Sequence, residues 1–163
     1  MGNFKNVDTE FIDRTLAVIS QYESSMHQYG FEKQYNHTLL INCLLGLIVF
    51  PKERNIAFMP KANITKELKT QMGISESTFN TDITTLKDLI ISLRHSLAHF
   101  DISFQSNNSD FLIDDIIFKD HKKAENYIVA TFKPAELLSF IRYYGWWLIK
   151  NLKENQHRIE NNL

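Results

Sequence analysis

The sequence predicts a mainly α fold of α+β type, in which a helical bundle carries a small antiparallel β-meander. Apolar residues recur every three or four positions in several long segments, which is the spacing of amphipathic helices. Between about residues 100 and 132 the pattern changes to strand-like alternation and to β-branched and aromatic runs. With 163 residues, of which 44% are hydrophobic, we expect a single domain over 1–163 with a frayed tail at 154–163.

The first predicted helix runs from about Asp8 to Tyr29. Either Asp8 or Thr9 suits its N-cap, and Gly30 suits the left-handed position that ends many helices. Its regularly spaced apolar residues predict one face that packs against the bundle. These residues are Ile12, Leu16, Ile19, Tyr22 and Met26.

The second predicted helix runs from about Tyr35 to Phe50 and ends before Pro51. Its apolar residues cover all of its sides, so we expect it at the centre of the bundle, or covered on its outer side by a second copy of the chain. Asn42 is expected to be a core amide bonded to backbone, because a buried polar group needs a partner. Cys43 is expected to be a small buried residue.

A short helix is predicted from Asn63 to Met72, with Gly73 as its end. The next helix is predicted from about Thr78 to Ala98, with Ser75 or Ser77 as its cap. Its apolar residues form the most regular pattern in the chain, a heptad seam that predicts helix packing. The seam consists of Phe79, Ile83, Leu86, Ile90, Leu93 and Leu97.

Three strands and a last helix are predicted after residue 99. The strands lie near Phe100–Phe104, Phe111–Phe118 and Tyr127–Phe132. Pro134 begins the last helix, because its fixed φ suits the first helical position. The adjacent Trp146–Trp147 pair points in two directions, so both rings can be buried only if this helix packs on two sides, which suggests a subunit interface.

Composition argues against several classes of protein. The net charge of −1 provides no overall basic field for long nucleic acids, so a nucleic-acid function must depend on a local site. The single cysteine allows neither an intrachain disulfide nor a thiolate metal cluster. The longest apolar run, 39–50, is too short to span a membrane, and no signal peptide is visible. We therefore expect a cytoplasmic protein with no membrane partner.

The candidate site is the segment Leu93–Asp101, where helical spacing gives way to alternation. It contains Arg94, His95 and His99, three side chains that handle phosphates or protons. Arg94 and His99 differ by about 140° around a regular helix, so they do not share a face. They can meet only if the helix ends before His99, or if two chains cross at this point.

Three explanations of the segment compete. In the first explanation, the cationic residues only stabilise the helix C-terminus, by about 0.3–1 kcal/mol each. Alternatively, His95 and His99 share a helical face and bind zinc together with Asp101 or His121; this explanation is the weakest, because the third ligand is not fixed. In the third explanation the segment cleaves RNA without a metal. A histidine accepts the proton of the ribose 2′-hydroxyl, and a second histidine protonates the leaving 5′-oxygen. The arginine stabilises the negative charge of the phosphate.

Two stretches carry a resemblance to a known family. The segment Arg94–His99, RHSLAH, looks like an Arg-polar-x-x-x-His motif at the end of an amphipathic helix. The run Leu40–Ile48, LINCLLGLI, is followed by Pro51 and Glu53 and looks like a characteristic second helix. Both are features of the HEPN superfamily, especially of its small bacterial branch encoded on plasmids and genomes. In element order the resemblance covers about Tyr35 to Tyr144.

The resemblance implies a homodimeric helical bundle with metal-independent endoribonuclease activity in toxin–antitoxin, abortive-infection or other defence systems. It assigns catalysis to Arg94 and His99, with His95 in the polar position and Asp101 as a supporting residue. No cofactor is expected, and the implied partners are RNA and an antitoxin or regulatory protein. In one toxin branch an antitoxin modifies a tyrosine two residues after the histidine; Asp101 stands there in this chain, so we do not expect that control.

The alternative function is a non-catalytic dimeric HEPN module that binds RNA, a nucleotide or a partner protein. The near-neutral net charge favours this alternative. The intact pair of Arg94 and His99 favours the endoribonuclease. We predict the endoribonuclease.

Overall fold

The computed structural model describes residues 3–49, 62–110 and 112–160, with side chains as far as residue 154. Within these ranges, five α-helices and a four-stranded antiparallel sheet confirm the mainly α, α+β prediction. The helices are α1 (Val7–Ser25), α2 (Asn36–Val49), α3 (Lys66–Gln71), α4 (Leu86–Ala98) and α5 (Pro134–Glu160). The strands are β1 (Thr78–Phe79), β2 (Ile102–Gln105), β3 (Asp115–Lys119) and β4 (Ile128–Phe132). The predicted helix end at Pro51 and the predicted strand start at Phe111 lie outside the described residues.

Helix α2 is the centre of the bundle, as its apolar pattern predicts. It packs against α1, α4 and α5, and the side chains of Leu44, Leu47 and Ile48 are completely buried. Cys43 is buried as expected, whereas Asn42 is exposed. The prediction of a core amide was wrong because Asn42 lies on the one strip of α2 that faces solvent.

Helices α1 and α5 cross closely at a glycine. A Cβ atom on Gly145 would lie 3.1 Å from both Cδ atoms of Leu16, so a side chain at this position would require the Leu16 side chain to shift by a few tenths of an ångström. Helix α1 begins at an N-cap on Asn6, whose Oδ1 accepts a hydrogen bond from the Thr9 N–H at 3.3 Å. Gly30 has φ −59, so it is not the left-handed stop that the sequence suggested.

The β-meander contains the three predicted strands and a fourth strand that the sequence analysis missed. The order in the sheet is β1-β4-β3-β2, and every neighbouring pair is antiparallel. Strand β1 occupies the start of the helix predicted from Thr78, which in the structure begins at Leu86. Phe79 is partly buried, and its ring centroid lies 5.7 Å from that of Phe132 in β4, so its apolar character serves the sheet rather than the helix seam.

Gly73 and the two serines after it join α3 to the start of α5. Gly73 has φ +69 and ends α3 as predicted. Ser75 and Ser77 do not cap α4, whose N-cap is Thr85. Instead their hydroxyls donate to the Glu136 carboxylate at 2.6 and 2.5 Å, and backbone N–H groups of residues 75–77 donate to the same carboxylate at 2.7–3.2 Å. Burial alone would raise the pKa of Glu136, but the hydrogen bonds from Ser75 and Ser77 lower it to about 2.

We expect Glu136→Gln to lower the free energy of unfolding by about 1–3 kcal/mol at neutral pH, because it removes a charged acceptor from several donors. The pKa of Glu136 is depressed from its ordinary 4.5 to about 2, so its contribution is fully present above 4.5 and is lost as pH falls towards 2. Urea unfolding across this pH range should show the difference from the wild type shrinking on acidification. The exposed neighbour Glu76→Gln serves as the control, and a difference that does not depend on pH would contradict the prediction.

No helix in the described ranges is long and apolar enough to cross a membrane.

Candidate active site at the end of helix α4

Helix α4 ends immediately before His99, which is one of the two conditions that the sequence set for a site in this segment. His99 is the C-cap residue, with φ −100 and ψ 0. The next residue, Phe100, has φ 55, which is the left-handed conformation. The N–H groups of Phe100 and Asp101 donate to carbonyls of the last helical turn at 3.2 and 2.8 Å. This is a Schellman motif, and it turns the chain sharply away from the helix axis.

Phe100 is an unusual residue for this left-handed position, where glycine is the common choice. A left-handed conformation costs a residue with a Cβ atom roughly 1–2 kcal/mol. Its side chain is 73% exposed, so packing within the chain offsets little of this cost. Strained backbone of this kind clusters at functional sites. The polar residues on either side of Phe100, His99 and Asp101, are therefore candidates for a functional role.

The two histidines of the motif face solvent, whereas the arginine is half-buried. On α4 the buried face includes Ser92, Leu93, Ser96 and Leu97. His95 and His99 are exposed on the opposite side, and Arg94 lies at the edge of the buried face. The histidines are therefore accessible to a substrate, and the arginine is held by its surroundings.

Arg94 lies close enough to Tyr144 in α5 for its charge to act on the tyrosine hydroxyl. The Tyr144 side chain in α5 is completely buried, and its hydroxyl has no hydrogen-bond partner among the described residues. Burial raises the pKa of Tyr144, and the positive charge of Arg94 acts against that rise. The Tyr144 ring stacks on that of Trp147 with centroids 6.1 Å apart, so a rigid aromatic wall lies near Arg94.

His99 belongs to a different group of side chains, which also contains Asp101 and His121. The Nδ1 atom of His121 lies 3.0 Å from Oδ2 of Asp101. The hydrogen bond from His121 is the main cause that lowers the pKa of Asp101, and the charge of His99 lowers it further. The carboxylate is thus close enough to both imidazoles to interact with each of them.

The sheet explains why residues 20 positions apart come together at Asp101. Asp101 directly precedes β2, and His121 follows shortly after β3, which is the antiparallel partner of β2. The Lys119 N–H donates to the Asp101 carbonyl at 2.8 Å and extends the pairing to this edge. His121 is therefore carried to the end of α4 by strand register rather than by local sequence.

His95 lines a separate cleft beside α4. This cleft has a volume of about 400 Å³, and its walls include Asp88 and Ser92 of α4 and Lys122 and Lys123 of the β3–β4 connection. His95 and His99 thus share the solvent side of α4, but their nearest polar neighbours differ. The structure brings His99, Asp101 and His121 together and places Arg94 towards α5 and His95 towards the lysines.

The zinc explanation finds no ligand set in the part of the chain that the structure describes. No group of three His, Cys, Asp or Glu side chains in that part is arranged to hold a metal ion. In particular, the combination of His95, His99 and Asp101 does not form such a group.

One comparison with known proteins gives a match. A family model described as HEPN pEK499 p136 matches residues 1–155. The match extends from α1 into α5 and includes the whole segment Leu93–Asp101. No match is found among curated proteins, and none among solved structures.

Proposed function

This chain belongs to the HEPN pEK499 p136 family, and on that premise we propose that it is a metal-independent endoribonuclease. The observation that supports the proposal most is the end of α4. There an exposed histidine, His99, stands at a strained helix terminus beside the carboxylate of Asp101, one turn after Arg94. An imidazole titrates close to neutral pH, and a guanidinium is a rigid phosphate donor, so this residue set suits phosphodiester cleavage.

In the proposed reaction, His99 accepts the proton of the ribose 2′-hydroxyl. The 2′-oxygen then attacks the adjacent phosphorus, and the P–O5′ bond breaks. Arg94 donates hydrogen bonds to the non-bridging oxygens, whose negative charge increases in the transition state. The products are a 2′,3′-cyclic phosphate and a 5′-hydroxyl. Each of these steps uses groups of the chain and the substrate.

We propose further that the active form is a homodimer. Within one chain, the charge of Arg94 acts on Tyr144 in α5, whereas the charge of His99 acts on Asp101 ahead of β2. A two-fold axis close to the end of α4 would let the Arg94 of one chain face the His99 of the other. Trp146 is 63% exposed on α5, which leaves a large apolar side chain for such an interface. Light scattering that reports a monomer at micromolar concentration would contradict the dimer.

In the cell, we propose that the protein acts as a toxin or defence effector held in check by an antitoxin or a regulatory protein. An endoribonuclease without a strongly basic surface would depend on its local site, and its activity would need restraint in its own host.

The test is the chemistry of the products. The purified protein is expected to cleave RNA to 2′,3′-cyclic phosphate and 5′-hydroxyl ends, because the nucleophile is the 2′-hydroxyl of the substrate. An oligonucleotide with a single 2′-deoxy sugar at the cut should resist cleavage. Chelators should leave the rate unchanged. Activity that is lost with a chelator and restored by zinc would contradict this mechanism.

The second candidate is a non-catalytic dimeric module that binds RNA, a nucleotide or a partner protein. The observation that favours it is the net charge of −1, because nucleases that act on long RNA often attract it with a basic surface. This candidate predicts binding without cleavage, and expression in a bacterial host that leaves growth unaffected.

A further inference from the structure

We propose that His121 is the general acid of the reaction, oriented by Asp101, so that it protonates the leaving 5′-oxygen while His99 takes the 2′-hydroxyl proton. This assignment rests on the proposed endoribonuclease function. It concerns a residue outside the Arg94–His99 motif, on the connection between β3 and β4.

The contact between His121 and Asp101 fixes which ring nitrogen is available. Nδ1 of His121 lies 3.0 Å from the Asp101 carboxylate, so this nitrogen carries the proton that the carboxylate accepts. Nε2, on the other side of the ring, is then the atom that can act on a substrate. The His121 side chain is 52% exposed, so a phosphodiester can reach it without any rearrangement of the core.

The contact with the carboxylate also fixes the orientation of the His121 ring. A carboxylate that accepts a hydrogen bond from Nδ1 holds the ring plane in place, as in catalytic His–carboxylate pairs. Among the histidines whose side chains the structure describes, His121 is the one that pairs with a described carboxylate. His95 instead lines a separate cleft with Lys122 and Lys123.

The same carboxylate connects the two histidines of the reaction. Asp101 interacts with His121 through a hydrogen bond and with His99 through its charge, so both imidazoles lie around one carboxylate. A phosphodiester that reaches His99 through its 2′-hydroxyl therefore has the second imidazole on the same side of the chain. In the proposed reaction, Arg94 then acts on the charge of the phosphorus oxygens.

His99 and His121 together account for both protons that move in the reaction. The O2′–H bond breaks and its proton moves to neutral His99, while the O2′–P bond forms. As the P–O5′ bond breaks, the imidazolium of His121 transfers its Nε2 proton to O5′. His99 ends protonated and His121 ends neutral. Exchange with water then restores both to their starting forms.

The experiment compares two oligonucleotides of one sequence that differ in the atom at the leaving position. One has the natural 5′-oxygen, and the other has sulfur in its place at the cut. A thiolate leaves without being protonated, so it does not need a general acid. We expect His121→Ala to reduce cleavage of the oxygen substrate by about 10²–10⁴-fold, and cleavage of the sulfur substrate by less than about tenfold.

Three further variants make the result specific. Asp101→Asn should show the same pattern with a smaller loss, because the amide oxygen still accepts a hydrogen bond from Nδ1 of His121 but holds the ring more weakly than the carboxylate does. His99→Ala should lose activity on both substrates, since the nucleophile still needs a base. His27→Ala, an exposed histidine on the turn after α1, is the matched control and should behave as the wild type. Circular dichroism of each variant checks that the fold is retained.

The outcomes separate this proposal from the function on which it rests. Wild-type protein that cuts neither oligonucleotide rejects the endoribonuclease, and with it the role of His121. Active wild-type protein together with full activity of His121→Ala rejects the role of His121 alone. Equal losses on the oxygen and sulfur substrates also reject it, because they assign His121 to binding or folding rather than to protonation.

Discussion

Arg94→Ala and His99→Ala are each expected to reduce the rate of RNA cleavage by about 10²–10⁴-fold while the protein stays folded. His99 supplies the base and Arg94 the positive charge at the phosphate, so the loss of either raises the barrier of the chemical step. His99 is exposed at the helix cap, and its removal leaves no cavity in the core. The measurement is the single-turnover rate on a defined RNA, with unfolding by urea recorded in parallel.

The same variants test the cellular role. Expression of the wild type in a bacterial host should slow growth, and both alanine variants should relieve this effect. Arg142→Ala is the matched control, because Arg142 is an exposed arginine on α5 that pairs with Glu23 outside the candidate site. Normal growth with the wild type, together with RNA binding but no cleavage, would support the non-catalytic module instead.

The sequence predicts which helices are buried where the apolar pattern is compatible with only one way of packing. A helix that is apolar on all sides has to be surrounded, and α2 packs against three other helices. The end of α4 was predictable for a similar reason, because helical spacing stops at Leu97 and alternation begins at Phe100. Pro134 marked the start of α5 through its fixed φ.

The start of α4 was not predictable from spacing alone. Phe79 and Ile83 continue the seam of α4 by three- and four-residue steps, yet Phe79 is in β1 and pairs with β4. What decides between the two is a contact distant in sequence: Glu136 binds Ser75 and Ser77, about 60 positions earlier. The local sequence is the same for a serine that caps a helix and for a serine that donates a hydrogen bond to a distant carboxylate.

The residues of the candidate site also differ in how far the sequence could predict them. The motif Arg94–His99 could be identified because it is a short segment at a change of pattern. His121 entered the sequence analysis only as one possible third ligand for zinc, because it lies in a turn rich in charged residues. Its contact with Asp101 depends on the pairing of β2 with β3. A prediction of the exact strand register would have been needed to find it.

A mixture of Arg94→Ala and His99→Ala chains is expected to regain activity that neither variant has alone. Within one chain the charge of Arg94 acts on Tyr144 in α5 and the charge of His99 acts on Asp101. We propose that each cleft combines Arg94 of one protomer with His99 of the other. A heterodimer of the two variants then contains one intact cleft of two. If subunits mix at random, half of the dimers are heterodimers, and activity should rise from below about one-hundredth to roughly a quarter of the wild type.

The mixing experiment has a control in which the Arg94→Ala chain is kept and only its partner is changed. Differently tagged chains are produced together, and the dimers that carry both tags are isolated before the cleavage rate is measured. These isolated heterodimers, with one intact cleft of two, should reach roughly half of the wild-type rate. Pairing Arg94→Ala with the double variant Arg94→Ala/His99→Ala gives dimers without any Arg94, so these should stay inactive. If the heterodimer of the two single variants also stays inactive although it forms normally, Arg94 and His99 must act within one chain. In that case substrate binding would have to bring the two side chains together across the end of α4, and the composite cleft would be rejected.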